Sequence, residues 1–247
     1  MIKYPYIIYP KFFVTILFIL VLLTACISHS SPQDDHYKSL REKMVKEQIE
    51  ARGVTDSKVI AAMLKVERHL FVTANMAMYA YEDHPLPIGY GQTISQPYIV
   101  AFMTEALHLS ESDRVLEVGT GSGYQAAILG ELCDSVFSVE IVAPLSERAG
   151  NILKILNYSN IKVKTGDGYL GWEEHAPYDA IIVTCAPTHV PEQLIKQLKE
   201  GGKMIIPVGE KNVQHLVLLT KQNGRMKEKS VLPVRFVPMV NSKDQIY

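Results

Sequence analysis

Three carboxylates in this chain stand at or beside glycine-rich turns, and their order is that of a nucleoside-binding sheet. Glu117 lies in Val115-Leu116-Glu117-Val118-Gly119-Thr120-Gly121-Ser122-Gly123, where a short apolar strand runs into a glycine turn and then a helix. Glycines there let the backbone bend sharply and let a ligand approach closely. A dinucleotide fingerprint would need a further glycine where Tyr124 stands. A carboxylate at Glu117 repels an anionic pyrophosphate and welcomes a cation, such as a ligand bearing an amino group and a sulfonium. Glu140 ends the next strand, about 20 positions on, where it can accept hydrogen bonds from ribose hydroxyls. Gly166-Asp167-Gly168 closes the third strand and offers Asp167 to an adenine amine. Each feature has a plainer reading: a tight βα turn, an exposed strand-end carboxylate, an aspartate in a turn. Their succession at strand ends, where such sheets bind ligands, favours a nucleoside site.

A parallel sheet is needed to bring those ends together. After Asp113 the pattern alternates, with strands over 114–118, 135–139, 161–164, 179–184 and 203–208, and helices over 124–132, 144–156 and 190–198. The last of these helices is closed by Gly201-Gly202. A strand over 215–220, a turn at Asn223-Gly224 and a last strand near 231–237 form a hairpin, so the final strand enters antiparallel. Before the alternating part, Leu40, Met44, Val45 and Ile49 share a helical face that Gly53 ends. Thr55 or Asp56 caps a second helix carrying Val59, Ile60, Met63 and Leu64. A loop-rich stretch over 75–96, with Pro85, Pro87, Gly89 and Gly91, leads to a helix over 97–108. The expected fold is α/β and Rossmann-like: a mostly parallel sheet with helices on both faces, an antiparallel last strand and a helical N-terminal extension. The antiparallel ending suits methyltransferases better than dinucleotide dehydrogenases.

Several segments together make the likeness specific. Gly91-Gln92-Thr93-Ile94-Ser95-Gln96-Pro97, the turn Gly119 to Gly123, Gly166-Asp167-Gly168-Tyr169 with Trp172 nearby, Asp179-Ala180-Ile181-Ile182-Val183-Thr184 and Arg235-Phe236-Val237-Pro238 resemble the protein-L-isoaspartate O-methyltransferase family. The match covers nearly all of the chain outside its N-terminal leader, and T-I-S-x-P is its most diagnostic part. The resemblance implies a seven-stranded S-adenosylmethionine methyltransferase fold and L-isoaspartyl or D-aspartyl residues in damaged proteins as substrates. It makes Ser95 the active-site hydroxyl. It gives Thr93, Ile94, Glu117, Gly119, Thr120, Gly121, Gly123, Glu140, Asp167 and Gly168 as the cofactor set. Ser95 also has a plainer role open to it, capping the helix that begins at Pro97. Cys185 departs from the small residue that relatives carry there.

No general base accompanies Ser95 in the sequence, and the chemistry needs none. An α-carboxyl-like group titrates at about 3.3–3.7 and is already ionised at neutral pH. Two other readings share these features: a methyltransferase for a different small acceptor, and a surface lipoprotein keeping the fold as a binding module. T-I-S-Q-P argues against the first, and the intact cofactor positions against the second. Thr184-Cys185-Ala186-Pro187 lacks the N-P-P-Y pattern of amino-nucleobase methyltransferases, and a net charge of -1 gives no basic field for nucleic acid. His69, His84, His175 and His189 show no metal-ligand spacing and read as loop or surface groups. Cys133 and Cys185 fall at opposite strand ends, which disfavours a disulfide. Trp172 reads equally as substrate rim or packing.

With 247 residues, 47% hydrophobic and 21% charged, the chain has room for one α/β domain and short additions. Its first 25 residues read as a lipoprotein-type signal peptide. Lys3 and Lys11 precede an uncharged run from Phe12 to Leu23, ending in Leu23-Thr24-Ala25-Cys26, which resembles a bacterial lipobox with Cys26 as the lipidated residue. Residues 26–36 read as a polar tether and 37–247 as the methyltransferase domain, helical over 37–110 and cofactor-binding over 111–247. This leader implies an exported, membrane-anchored protein, whereas translation from Met44 would give a leaderless cytoplasmic one.

Overall fold

The computed structural model describes residues 1–2, 32–210 and 213–242, so the L-T-A-C segment with Cys26 lies outside the described residues. The chain divides into two compact units, Met1–Lys38 and Ser39–Tyr247. Helix α1 (Pro32–Met44) begins ahead of the expected Tyr37, so the end of the expected tether is helical. Asp34 and Asp35 occupy its first turn, where free N–H groups favour carboxylates. Beyond it the backbone widens into a π-turn over Val45–Ile49 and tightens into a 3-10 turn over Glu50–Arg52, which Gly53 ends. Helix α2 (Ser57–Lys65) is capped by Asp56, whose carboxylate accepts from the N–H groups of Lys58 and Val59 at 2.8 and 3.3 Å.

The stretch expected as loop holds a small antiparallel pair, β1 (Leu86–Gly89) and β2 (Gln92–Ile94). Tyr90 and Gly91 turn between them with φ of 55° and 70°, the left-handed geometry of a two-residue hairpin. Pro87 and Gly89 are poor strand formers, so propensity hides the pair; burial of Leu86, Ile88 and Ile94 secures it. Helix α3 (Pro97–Leu107) follows, opened by its proline and closed by left-handed His108.

The main sheet has seven strands in the order β5-β4-β3-β6-β7-β8-β9. They are β3 (Arg114–Val118), β4 (Ser135–Glu140), β5 (Ile161–Thr165), β6 (Tyr178–Val183), β7 (Leu198–Glu210), β8 (Val213–Gln222) and β9 (Arg225–Val234). Neighbours from β5 to β7 pair in parallel, β8 is antiparallel to β7, and the last strand is antiparallel to β8. The expected fold is the observed one. Helices α4 (Tyr124–Gly130), α5 (Ala143–Ile155) and α6 (Glu192–Gln197) alternate with the parallel strands. Leu116, Val118, Val139, Ile181, Val183 and Ile206 are buried in the sheet's core.

Two strand boundaries differ from expectation. Gly201-Gly202 does not separate α6 from β7 but lies in a bulge within the strand, since Tyr178 pairs with Leu198 and Ala180 with Lys203. β9 starts at Arg225 because the Asn223-Gly224 turn pairs Gln222 directly with Arg225. It ends at Val234, and Arg235 to Pro238 leave the sheet. From β3 the chain steps outward to β4 and β5, then crosses to β6 on the other side. The crevice at the carboxyl ends of β3 and β6 is the place such sheets reserve for ligands.

Candidate active site

The glycine turn after β3 is built around Thr184. Its hydroxyl donates to the carbonyls of Gly119 and Val118 at 2.6 and 3.1 Å. Gly119 has φ of 97°, and a Cβ there would collide with that hydroxyl oxygen. The room left by this glycine is thus taken by the loop after β6. Glu140 binds the same turn from the other side, its two oxygens accepting from Gly121 N–H at 2.7 Å and Val142 N–H at 2.9 Å. A carboxylate has about four acceptor positions. Glu140 therefore keeps capacity for ligand hydroxyls where it lines the cavity.

Glu117 is fully buried and does not line the cavity. Its register partner Ser138 donates a hydroxyl hydrogen bond to Oε2, and Thr120 in the cavity wall hydrogen-bonds Ser138 in turn. Oε1 is buried with no partner. Burial pushes this carboxyl up to about 8; the Ser138 hydrogen bond opposes the shift and the charge of Glu140 adds to it. It is mostly protonated at neutral pH, and a cation brought nearby would favour its charged form.

The cavity gathers Thr93, Ile94, Ser95, Gly119, Thr120, Gly121, Glu140 and Gly168 from the expected set, with Thr184, Cys185, Pro238 and Met239 completing its wall. Gly123 and Asp167 are not among its lining residues. Gly123 caps α4, where a Cβ would lie 3.3 Å from the Ala149 side chain of α5. Asp167 accepts from Tyr169 N–H and Ser242 N–H, both at 2.9 Å, which secures its turn and the end of the described chain.

A second groove runs alongside, lined by Gln96, Ile99, Arg52, Pro85 and the segment Leu232 to Pro238. Thr93, Ser95, Thr184, Val237 and Pro238 line both spaces. The segment after β9 reaches this position through paired backbone bonds: Ala186 N–H to Val237 O and Met239 N–H to Ala186 O, each 2.8 Å. Gln214 receives Phe236 N–H at 2.6 Å and holds the bend. Ser95 does not cap α3, whose N-cap is Gln96 without a side-chain bond. The Ser95 hydroxyl has no partner among the described residues, and Gln96 instead donates to Asp83 at 2.8 Å.

Titratable side chains lining the two spaces are Glu140, Tyr124, Cys185, Arg52 and Arg235. Burial pushes the Tyr124 hydroxyl and the Cys185 thiol upward, so both stay neutral. Glu140 already accepts two backbone bonds. The arrangement supplies hydrogen bonds and walls rather than a base. Trp172 packs edge-on against Phe137 at 5.8 Å and lines neither space. His175 stacks on the same ring at 4.2 Å, and His69 meets the Tyr81 hydroxyl at 2.8 Å. Cys133 and Cys185 are free thiols. Sequence reasoning gave no site role to Arg52 and Arg68, which nothing in their local sequence marks, and quoted Thr184 only within the resemblance segment ending β6.

The family described as Protein-L-isoaspartate(D-aspartate) O-methyltransferase (PCMT) matches residues 39–244. The chain belongs to that family. A relative named protein-L-isoaspartate O-methyltransferase, from Opitutus terrae, is 54% identical over 204 residues, which cover 82% of this chain and 88% of the relative. A solved protein-L-isoaspartate O-methyltransferase superposes with a TM-score of 0.74 at 34% identity, over 80% of this chain and 65% of that one. A Plasmodium falciparum structure described as such an enzyme in complex with S-adenosyl-L-homocysteine gives a TM-score of 0.71 at 30% identity, over 82% of this chain and 97% of that one.

Proposed function

We propose that this enzyme transfers a methyl group from S-adenosylmethionine to the free carboxylate of L-isoaspartyl and D-aspartyl residues in damaged proteins, the first step of their repair. The observation that carries the reading is Ser95 with an unengaged hydroxyl on the wall shared by a cofactor-type cavity and an open groove. The residues fit the cofactor. Glu140 offers acceptors for a ribose diol, and the unpartnered Oε1 of Glu117 lies behind the wall where a cationic ligand suits it. Thr93, Ile94, Gly119, Thr120, Gly121 and Gly168 form the remaining walls, while Gly123 and Asp167 support them from outside. Bound there, S-adenosylmethionine supplies the methyl group on a sulfonium.

The chain's own residues orient the acceptor and keep water away. Ser95 donates to the acceptor carboxylate, which is ionised at neutral pH and needs no base. That accounts for a site without one. Alignment and water exclusion then carry the rate, effects that supply roughly 7–11 kcal/mol in favourable cases. The test is methyl transfer from S-adenosylmethionine to an isoaspartyl peptide and to its aspartyl twin. Transfer to the first alone is expected; equal transfer to both, or none by folded protein, would refute the reading.

The same proposal extends to the leader. Leu23-Thr24-Ala25-Cys26 is taken as a lipoprotein processing site that leaves Cys26 acylated and the enzyme on a membrane, facing away from the cytoplasm. Its support is sequence alone: a basic start, an uncharged apolar run and a small-residue site before cysteine. Damaged proteins and peptides of that compartment are then its substrates.

A further inference from the structure

Arg68 is the one charged residue among the largest fully buried side chains. A buried cation normally requires a carboxylate partner, since an unpaired charge in the interior is strongly destabilising. Here none is present among the described residues. The titratable groups that bear on it are Tyr124, Tyr81 and the imidazole of His84; burial pushes both hydroxyls upward. Burial lowers the guanidinium itself to about 10, which leaves it charged at neutral pH. Its Nε donates to Ala80 O at 2.7 Å and its Nη2 to Ser95 O at 2.8 Å. Nη1 is buried with no acceptor. The guanidinium carbon lies 4.9 Å from the Tyr124 ring centroid. Ser95 and Tyr124 both line the cofactor-type cavity, so the unpaired cation sits directly behind its wall.

We propose that Arg68 is the positioning residue of the acceptor side: it fixes the Ser95 backbone from behind the wall and sets there an unpaired positive charge that favours an anionic acceptor at Ser95. This inference rests on the function proposed above. The acceptor is a carboxylate, and methylation turns it into a neutral ester. A cation behind the acceptor position therefore stabilises bound substrate more than bound product. Its charge acts on acceptor affinity and on product release. Its two-pronged grip on Ala80 and Ser95 acts on alignment, hence on turnover. Glu117 is the counterpart on the donor side, a buried acid with its own unpartnered oxygen. When ionised, the two orphan groups carry the charges that suit the sulfonium of the donor and the carboxylate of the acceptor.

The test uses the enzyme with its Arg68→Met and Arg68→Lys variants. Two peptides are compared in the presence of S-adenosylhomocysteine, one isoaspartyl and one carrying isoasparagine, whose neutral amide replaces the carboxylate. The native enzyme should prefer the anionic peptide, and Arg68→Met should shrink that preference about tenfold or more, the size expected for a lost interaction with a charged group. Cofactor affinity by calorimetry should fall less than the peptide preference. The cofactor carries a carboxylate of its own, so a loss on the cofactor as large as the loss on the peptide would assign Arg68 to the donor side and overturn the proposal. Arg68→Lys should keep the preference but lower kcat, since an ammonium cannot reproduce the fork. An unchanged preference in Arg68→Met overturns the proposal. If that variant does not fold, Arg68→Lys decides: lowered kcat with unchanged cofactor affinity supports it, and native kinetic constants overturn it. Native enzyme inactive on the isoaspartyl peptide would refute the function itself, whereas native activity with unaltered variants refutes Arg68 alone.

Discussion

Ser95 and Glu140 serve different partners, and substitution separates them. Ser95→Ala should lower kcat while cofactor affinity stays near the native value, because its hydroxyl has no hydrogen-bond partner among the described residues and Ser95 lines the groove as well as the cavity. Glu140→Ala should weaken cofactor binding by about 1.5–3 kcal/mol, the worth of hydrogen bonds to a charged group. It also frees the N–H groups of Gly121 and Val142 that the carboxylate now receives. Calorimetry and initial rates on both variants check the assignment; a reversed pattern would exchange the two roles. Glu117 gives a pH signature. Its folded value of about 8 stands above the ordinary 4.5, so the stability it contributes is fully present below about 4.5 and is lost as pH rises through about 8. Glu117→Gln should flatten the fall in Tm across that window, and identical profiles for native and variant protein would contradict the buried-acid account. In the native enzyme, affinity for the cationic cofactor should rise through the same window as the acid ionises.

Among the elements, the loop after β6 shapes the glycine turn as much as the turn's own residues do. Gly119→Ala places a Cβ against the Thr184 hydroxyl and a side chain at φ of 97°. Left-handed backbone alone costs about 1–2 kcal/mol for an ordinary residue. The collision adds to it. In a Thr184→Ala background the same change should cost measurably less, a coupling that denaturant midpoints of the four proteins would show; strict additivity would mean that the loop does not enforce the glycine. The β1–β2 pair illustrates the opposite relation between sequence and structure. Its prolines and glycines read as loop, yet Ile88 O also receives Arg148 Nη2 at 2.8 Å from α5. Long-range anchoring overrides weak local propensity there.

For the whole molecule, the proposed leader carries a prediction about the compartment. Fractionation of cells with mass spectrometry of the mature N-terminus should find an acylated Cys26 species with membranes. Two or more acyl chains hold a protein stably, whereas one gives only marginal binding. A soluble product beginning at Met44, with no acylated Cys26 species, would reject anchoring and leave the catalytic proposal intact. S-adenosylmethionine is a polar cytosolic product, so an exported enzyme requires a supply route for it across the membrane.

Periodicity and turn chemistry act between near neighbours, so the alternating strands and helices, the glycine turn after β3 and the acidic residue ending β4 are legible from the residues alone. The T-I-S-Q-P segment marks Ser95 through its family resemblance. Contacts between residues distant in the chain settle the rest, and no local pattern encodes them. Asp167, like Glu140, accepts two backbone N–H groups, from Tyr169 and Ser242, but unlike Glu140 it stands outside the lining of the cofactor-type cavity. The Gln214 side chain bends the segment after β9 so that Val237 and Pro238 wall the site rather than extend the sheet. Arg68, between Glu67 and His69, looks like part of a solvated polar run. Only the approach of Ala80, Ser95 and the Tyr124 ring turns that residue into a buried cation, because burial and partner choice are properties of the folded surroundings.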